Sequence, residues 1–552
     1  MLTLKTKLGD LLISKGLVTA AEFDSCLDES KHTGIRVGEV LIQKGYLTED
    51  QVYRAISEQQ GLDFIDLNDS GIDTKIASKV NISILTKYSA LPIDEDDVHV
   101  IFTFKDPLDL TAQDAVQRLF PKKMLKIVGS NPSLVEKYLK QYEINESIKD
   151  ITNDIKKEIA HDTSINSDAS AVYKLIQVIV QTAVYSRASD IHIEPTEKSC
   201  IVRARIDGIL KEIFSFEQEI YPPLGSRIKL MGHLDIAEKR KPQDGRFSLN
   251  VNKKDYDFRL STLPTTHGES LVLRILDETK VLINLEDLGM RKENFRRFNA
   301  SLKSAHGIIL LTGPTGSGKT TTLYAALNAI KGVDKKIITV EDPVEYSVGM
   351  VQQVQVNEKA GLHFSTVLRS ILRQDPDIIM IGEIRDKETL KIAVQSALTG
   401  HLVLSTLHTN DALGAITRMV DMGIEPYLVA PSLIAVEGQR LVRKLCPHCK
   451  EAYMPSASAI STIEQYLPES PIFFKPIGCE KCSNTGYLGR EMISEVLTIN
   501  DELSAAITKG ATKQELEAIA KADGFESLFQ DGINRVATGI TSLEEVYRVS
   551  RL

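Results

Sequence analysis

One stretch constrains the fold more than any other. Gly307-Ile-Ile-Leu-Leu-Thr312 is an unbroken buried-strand signal. It runs straight into Gly313-Pro314-Thr315-Gly316-Ser317-Gly318-Lys319-Thr320, and the helix-forming segment Thr321-Thr-Leu-Tyr-Ala-Ala-Leu327 follows. Strand, glycine-rich loop and helix in that order commit this region to a parallel α/β sheet with a phosphate-binding loop. The glycines let backbone N–H groups turn inward around phosphates, and the helix N-terminus adds positive potential. Gly313 to Thr321 are therefore the expected nucleotide-binding residues. Lys319 is expected to reach the β- and γ-phosphates, and Thr320 to offer its hydroxyl to Mg²⁺.

Two further apolar runs end in acids. Ile378-Ile-Met-Ile381 leads into Gly382-Glu383-Ile-Arg-Asp386. A hydrophobic strand followed by an acid is the Walker B arrangement, with Gly382 where many such proteins carry Asp. Glu383 is then the carboxylate expected near Mg²⁺ or its waters. Ile337-Ile-Thr-Val340 leads into Glu341-Asp342-Pro343-Val344-Glu345. Three acids at a strand end can point to the γ-phosphate side, where one can polarise the attacking water. A third run, Leu402–Leu407, is bracketed by His401 and His408. Two such histidines could sense the phosphate and pass its state to a neighbour.

The chain, at 552 residues, is too long for one core, and three or four domains are expected. Its formal net charge of −9 and lack of any dense Lys/Arg block argue against nucleic acid as a partner. The opening residues lack the apolar core of a signal peptide. No run of about 18 apolar residues occurs, so no membrane span is expected. The N-terminus carries a repeat: Lys7, Leu8, Gly9, Leu12, Gly16, Phe23, Leu27 and Ser30 recur 29 residues later as Arg36, Val37, Gly38, Leu41, Gly45, Val52, Ile56 and Gln59. Each copy reads as a short helix, a glycine turn and a second helix capped by Thr19 or Thr48. Residues 61–142 read as α/β and residues 146–170 as a linker, partly amphipathic helix. A second α/β domain over 171–285 follows, with strand-like Asp190–Glu194, Cys200–Ile206 and Tyr256–Leu260. A third domain, 286–552, holds the nucleotide motifs.

Six cysteines in so long a chain do not make a disulfide framework. Four of them form Cys446-Pro-His-Cys449 and Cys479-Glu-Lys-Cys482, with 29 residues between the pairs. Four thiolates suit a structural tetrahedral Zn²⁺ with no open position. His448 inside the first knuckle is expected to point away.

GPTGSGKT, VEDPVEY, RQDPDIIMIGEIRD and TGHLVLSTLHTNDA together resemble the secretion ATPase superfamily, in particular the type II secretion and type IV pilus assembly ATPases. The resemblance spans the whole chain and is most specific from residue 171 onward. It implies a RecA-like P-loop core over 286–552, with a zinc module at 440–490 and C-terminal helices at 498–552. A PAS-like α/β domain over 171–285 would precede the core, behind an N-terminal regulatory domain, 1–145. It also implies Glu345 as the water-activating carboxylate, assisted by Glu341 and Asp342. Glu383 would be the Walker B glutamate, and His401 and His408 the His box. The family works as cytoplasmic homohexamers at the inner membrane, on a platform protein or a cytoplasmic adaptor. ATP is clamped there between one subunit's core and another's preceding domain. Arg227, Arg240 and Arg246 lie in the segments that resemble that preceding domain and are candidate arginine fingers. The tetracysteine insertion resembles that of the assembly ATPases rather than the retraction ATPases. The repeat at 7–59 resembles the cyclic-di-GMP-binding N-terminal domain of MshE-like ATPases. Its candidate contacts are Lys7, Gly9, Arg36, Gly38 and Gln59, with Lys7 and Ser30 departing from the family's Arg and Gln. The resemblance thus implies a motor using ATP, Mg²⁺ and Zn²⁺. The rival readings are a nucleic-acid translocase, a retraction ATPase and a cyclic-di-GMP-sensing scaffold.

Overall fold

The computed structural model describes residues 7–67, 74–77, 79–160, 170–276, 283–482 and 484–550. The chain divides into two compact units, Met1–Val178 with Pro222–Arg227, and Ile179–Tyr221 with Ile228–Leu552.

In the first unit the 29-residue repeat becomes two helical hairpins. Helices α1 (Leu8–Ser14) and α2 (Ala20–Thr33) form one, α3 (Val37–Gln43) and α4 (Glu49–Gln60) the other. Thr19 and Thr48 each close a full capping box, with Glu22 and Gln51 returning the bond. Each cap contributes about 1 kcal/mol to its helix. Gly16 and Gly45 adopt φ of 66° and 75° at the turns, a conformation side chains resist. Gly9 and Gly38 serve another purpose. A Cβ on Gly9 would sit 2.5 Å from the Phe23 ring, and one on Gly38 would sit 2.9 Å from Val52 Cγ1. Their bareness leaves room for the Phe23 ring of α2 and for Val52 of α4. Leu12, Val18, Cys26, Val40, Leu41, Leu47, Val52 and Ala55 form the shared core.

A three-stranded sheet follows, of β1 (Ala90–Glu95), β2 (His99–Phe104) and β3 (Met124–Val128), with β1/β2 antiparallel and β2/β3 parallel. The helix Pro132–Ala160 then runs unbroken across the position expected to divide domain from linker. Leu134, Val135, Leu139 and Tyr142 pack on the sheet's core, and Ile148 and Ile155 continue as buried positions of the same helix. Of the expected linker, 161–169 lies outside the described residues.

The second unit opens with a six-stranded antiparallel sheet. Its strands are β4 (Ala188–Pro195), β5 (Ser199–Ile206), β6 (Ile209–Glu217), β7 (Gln243–Val251), β8 (Lys254–Thr265) and β9 (Gly268–Leu276), in the order β6-β5-β4-β9-β8-β7. The alternating burial of β4 and β5 is the period-2 signal that the sequence carries there.

The larger sheet has seven strands. They are β10 (Gly307–Thr312), β11 (Ile337–Glu341), β12 (Val351–Gln355), β13 (Ile378–Ile381), β14 (Leu402–Leu407), β15 (Leu433–Leu445) and, beyond β16 (Glu451–Tyr453) and β17 (Phe473–Lys475), β18 (Tyr487–Thr498). The order is β12-β11-β13-β14-β10-β15-β18. Only β18 runs antiparallel, against β15. β10, β11, β13 and β14 are buried at every residue, as strands covered on both faces must be. In such a sheet the functional loops lie beyond the carboxyl ends of the strands. The loops after β10, β11, β13 and β14 all open there.

Candidate active site

The loop after β10 folds by its glycines. Gly313, Gly316 and Gly318 have φ of 145°, 80° and 93°, and Gly318 caps the helix Lys319–Ile330. Strand β15 floors the loop. A Cβ on Gly313 would meet the Gln439 carbonyl and Ser317 Oγ, each at 2.6 Å. Gln439 Nε2 donates to the Ser317 carbonyl at 2.6 Å. Lys319 is buried and donates to the carbonyls of Gly313 and Pro314 at 2.8 and 3.0 Å. Burial, then the neighbouring Arg440, pull its pKa below the ordinary lysine value. A buried ammonium held in a ring of loop backbone is poised to exchange those carbonyls for phosphate oxygens. Thr320 and Thr321 are exposed in the first helical turn, beside the loop.

The acidic loop after β11 divides its carboxylates. Glu341 is buried. It accepts from Tyr324 Oη at 2.5 Å, Thr339 Oγ1 at 2.6 Å and Gln353 Nε2 at 3.1 Å. Its oxygens are committed to internal hydrogen bonds. Asp342 is exposed and lies 4.0 Å from Arg385. Glu345 is gripped by Arg259 of β8, with Nη1 donating to Oε1 at 3.0 Å and Nη2 lying 2.9 Å from Oε2. Arg259 Nη2 also donates to the Val344 carbonyl at 3.2 Å.

Glu383, one residue past Gly382, pairs with Arg385, whose pKa rises through that bond. His408 Nε2 lies 3.6 Å from Glu383 Oε2. His401 is elsewhere. Its Nδ1 lies 3.0 Å from the Ser396 carbonyl, before β14 begins, whereas His408 follows the strand's end. The intervening strand separates the two histidines by about 20 Å. The structure therefore joins His408, and not His401, to Glu383.

The three arginines singled out from the sequence also part company. Arg227 is buried, with its guanidinium 5.2 Å from the Tyr173 ring centroid. Arg240 is exposed and pairs with Glu238 at 3.3 Å. Arg246 is exposed on β7, directly across from Arg259 in the β7/β8 register. Arg259 itself has no local sequence signal, since its partner is 86 residues away. Tyr324, Gln439 and Arg440 were equally silent. Arg440 donates to the carbonyls of Gln439 and Asn410 at 3.0 and 2.6 Å.

Two buried acids underlie this site. Glu437 stands on β15 in register with Leu311, is fully buried, and neither of its carboxylate oxygens has a hydrogen-bond partner among the described residues. Burial, with Glu495 adding, pushes its pKa well up. Glu495 of β18 accepts the N–H groups of Ala412 and Leu528 at 2.6 and 2.8 Å. Burial lifts its pKa to about 7.

The two knuckles converge. Cys446, Cys449, Cys479 and Cys482 bring their sulfurs within 4.8 Å of one another, with Cys446–Cys479, Cys449–Cys482 and Cys479–Cys482 at 3.7, 3.8 and 3.7 Å. Sulfurs on one tetrahedral Zn²⁺, each about 2.3 Å from the ion, stand about 3.8 Å apart, so the donor set fits. Burial raises Cys479 to about 11. At Cys482 burial is outweighed by the N–H groups of Cys479 and Gly486, which hold the thiol at about 7. His448 is not in the cluster.

Residues 166–548 match the family described as "Type II/IV secretion system protein". The chain belongs to this family. Residues 60–147 match the MshEN domain, the part that follows the helical repeat. The type IV pilus assembly ATPase PilB of Myxococcus xanthus is 39% identical over 555 residues, covering 98% of each chain. The type II secretion system ATPase E of Vibrio cholerae is 47% identical over 386 residues, covering 70% of this chain and 76% of its own. Among solved structures, the DotB ATPase of Yersinia pseudotuberculosis superposes with a TM-score of 0.51 at 19% identity, over 68% of this chain and 92% of that one, which places the fold. Membership of the family accounts for the order of motifs along the chain. Among the described residues no helix is long and apolar enough to cross a membrane.

Proposed function

We propose that the chain is a motor ATPase of a type IV pilus assembly or type II secretion machine, hydrolysing ATP to ADP and phosphate. One observation carries the reading. A P-loop lysine, Glu345, Glu383 and His408 all sit on loops that open at the same end of one parallel sheet, with Arg259 reaching in from the preceding domain. Gly313 to Thr321 hold the phosphates, and Lys319 neutralises them. Glu345 orients and deprotonates the attacking water. Thr320 and Glu383 would hold Mg²⁺, which would offset phosphate charge when bound. His408 stands beside Glu383 and would report the state of that carboxylate to β14. The grip of Arg259 on Glu345 is formed within one chain, so the preceding domain reaches the acidic loop without a neighbour.

The relatives' roles in pilus assembly and secretion support placing this protein in the cytoplasm at the inner membrane, as a homohexamer acting on a platform protein or its adaptor. The four cysteines would hold a structural Zn²⁺. Lys319→Ala is expected to abolish ATP turnover by the purified oligomer, and unchanged phosphate release would refute the site. Elemental analysis is expected to find about one zinc per chain.

A second reading concerns the repeat. Lys7 and Arg36 are exposed at the heads of α1 and α3 in equivalent places, which favours a symmetric ligand such as cyclic-di-GMP. Gly9 and Gly38 would shape the helix pairs behind them, and Gln59 lies on the second copy alone. Ser30, its counterpart, gives its hydroxyl to the Ile35 carbonyl at 2.5 Å. Calorimetric titration of the full chain with cyclic-di-GMP is expected to show binding that Arg36→Ala removes. No heat from the parent protein would end this reading.

A further inference from the structure

The acidic loop must stay in place relative to the phosphate loop, yet it hangs from a different strand. One side chain joins them. Tyr324 stands in the second turn of the helix that begins at Lys319, and it is 4% exposed. Its hydroxyl donates to Glu341 Oε2 at 2.5 Å. The same oxygen accepts the backbone N–H of Glu345 at 3.3 Å and that of Tyr346 at 3.5 Å, with Gln353 Nε2 at 3.4 Å. The Tyr346 ring meets the Tyr324 ring edge-on, centroids 5.8 Å apart.

We infer that Tyr324 is a positioning residue for Glu345, tying the backbone of the acidic loop to the helix that carries Lys319. This rests on the reading of Glu345 as the water-activating carboxylate. Glu345 then has two anchors of different kinds. Arg259 fixes its carboxylate from β8, and the Tyr324 hydroxyl fixes its main chain from the phosphate-loop helix. Burial, with the Glu341 carboxylate adding, raises the phenol's pKa above the ordinary tyrosine value, so the hydroxyl stays protonated and remains a donor to Glu341. Glu341 orients the hydroxyl, and the hydroxyl's lone pairs are thereby turned toward the two N–H groups. A base must sit within hydrogen-bond reach of its water, and displacement of about 1 Å can cost a hundredfold in rate. Nothing in this role touches phosphate, so the lesion belongs in kcat and not in nucleotide binding.

Tyr324→Phe keeps the ring and deletes the hydroxyl. We expect kcat to fall about tenfold with KM for ATP changed less than about twofold. In a Glu345→Gln background, where the positioned carboxylate is gone, the same change is expected to lower single-turnover phosphate release by less than about twofold. Amide hydrogen exchange is expected to quicken at Glu345 and Tyr346 and not at Leu323 to Ile330. A tenfold loss in both backgrounds, or a rise in KM with kcat intact, would overturn the inference. If Glu345→Gln alone left kcat intact, the reading of the acidic loop would fail instead, which separates the two claims. Should Tyr324→Phe not fold, Gln353→Met loosens the same network without removing the hydroxyl. It is expected to cost about threefold in kcat in the parent and nothing in the Glu345→Gln background, and equal losses in both would overturn the inference.

Discussion

The two ends of the seven-stranded sheet have nearly the same residues to work with and put them to opposite use. His408 follows β14 and faces Glu383, whereas His401 precedes β14 and bonds the Ser396 carbonyl at the end of a helix. Glu345 and Glu383 face outward from strand ends with arginines on them, while Glu437 and Glu495 are buried in the sheet itself. In a parallel sheet the carboxyl ends release the chain into loops and the amino ends receive it from helices. An ionisable group at the first kind of end can meet a ligand. At the second kind, or within a strand, it meets only protein.

This contrast can be broken by substitution. The largest effect is expected from Glu345→Gln, which should lower kcat at least about a hundredfold, measured by phosphate release at saturating ATP. Arg259→Ala should lower it about tenfold, because the carboxylate loses its fork. His408→Ala is expected to cost several-fold in turnover. His401→Ala is expected to cost less than about twofold in turnover and about 1 kcal/mol of stability. Equal turnover losses in the two histidine variants would erase the distinction between the ends. The smallest effect concerns the buried acids. Folding raises Glu495 from 4.5 to about 7, so the folded state binds its proton more tightly than the unfolded chain does. The associated stability is fully present below pH 4.5 and is lost as pH rises through about 7. Glu437 acts in the same direction. Melting temperatures of Glu437→Gln and its parent should therefore diverge in the variant's favour as pH rises above 4.5.

Much of this site could be read along the chain because its parts are local. The phosphate loop needs strand, glycines, lysine and helix in one stretch of sequence, and each knuckle needs two cysteines one turn apart. The capping threonines of the N-terminal hairpins announce themselves in the same way. Arg259 and Tyr324 could not be read, because what defines them is a partner on another element. An arginine in Phe258-Arg259-Leu260 looks like any outward position of a strand. A tyrosine in the second turn of an apolar helix looks like core. The separation of His401 from His408 was available in principle, since a strand of six residues between them must hold them apart. Past residue 145 the polar residues form the exposed face of the helix Pro132–Ala160, and Ile148 and Ile155, at helical spacing, are its buried positions.

The bare positions Gly9 and Gly38 limit how the two N-terminal hairpins can differ. A methyl group at either place would press on the Phe23 ring or on Val52, so the copies differ at their rims, Lys7 against Arg36 and Ser30 against Gln59, and share that one close approach. Phe23 and Val52 fill the two contacts with very different bulk, so the copies are no longer interchangeable parts. A graft of the second hairpin onto the first would have to carry its own short helix with it.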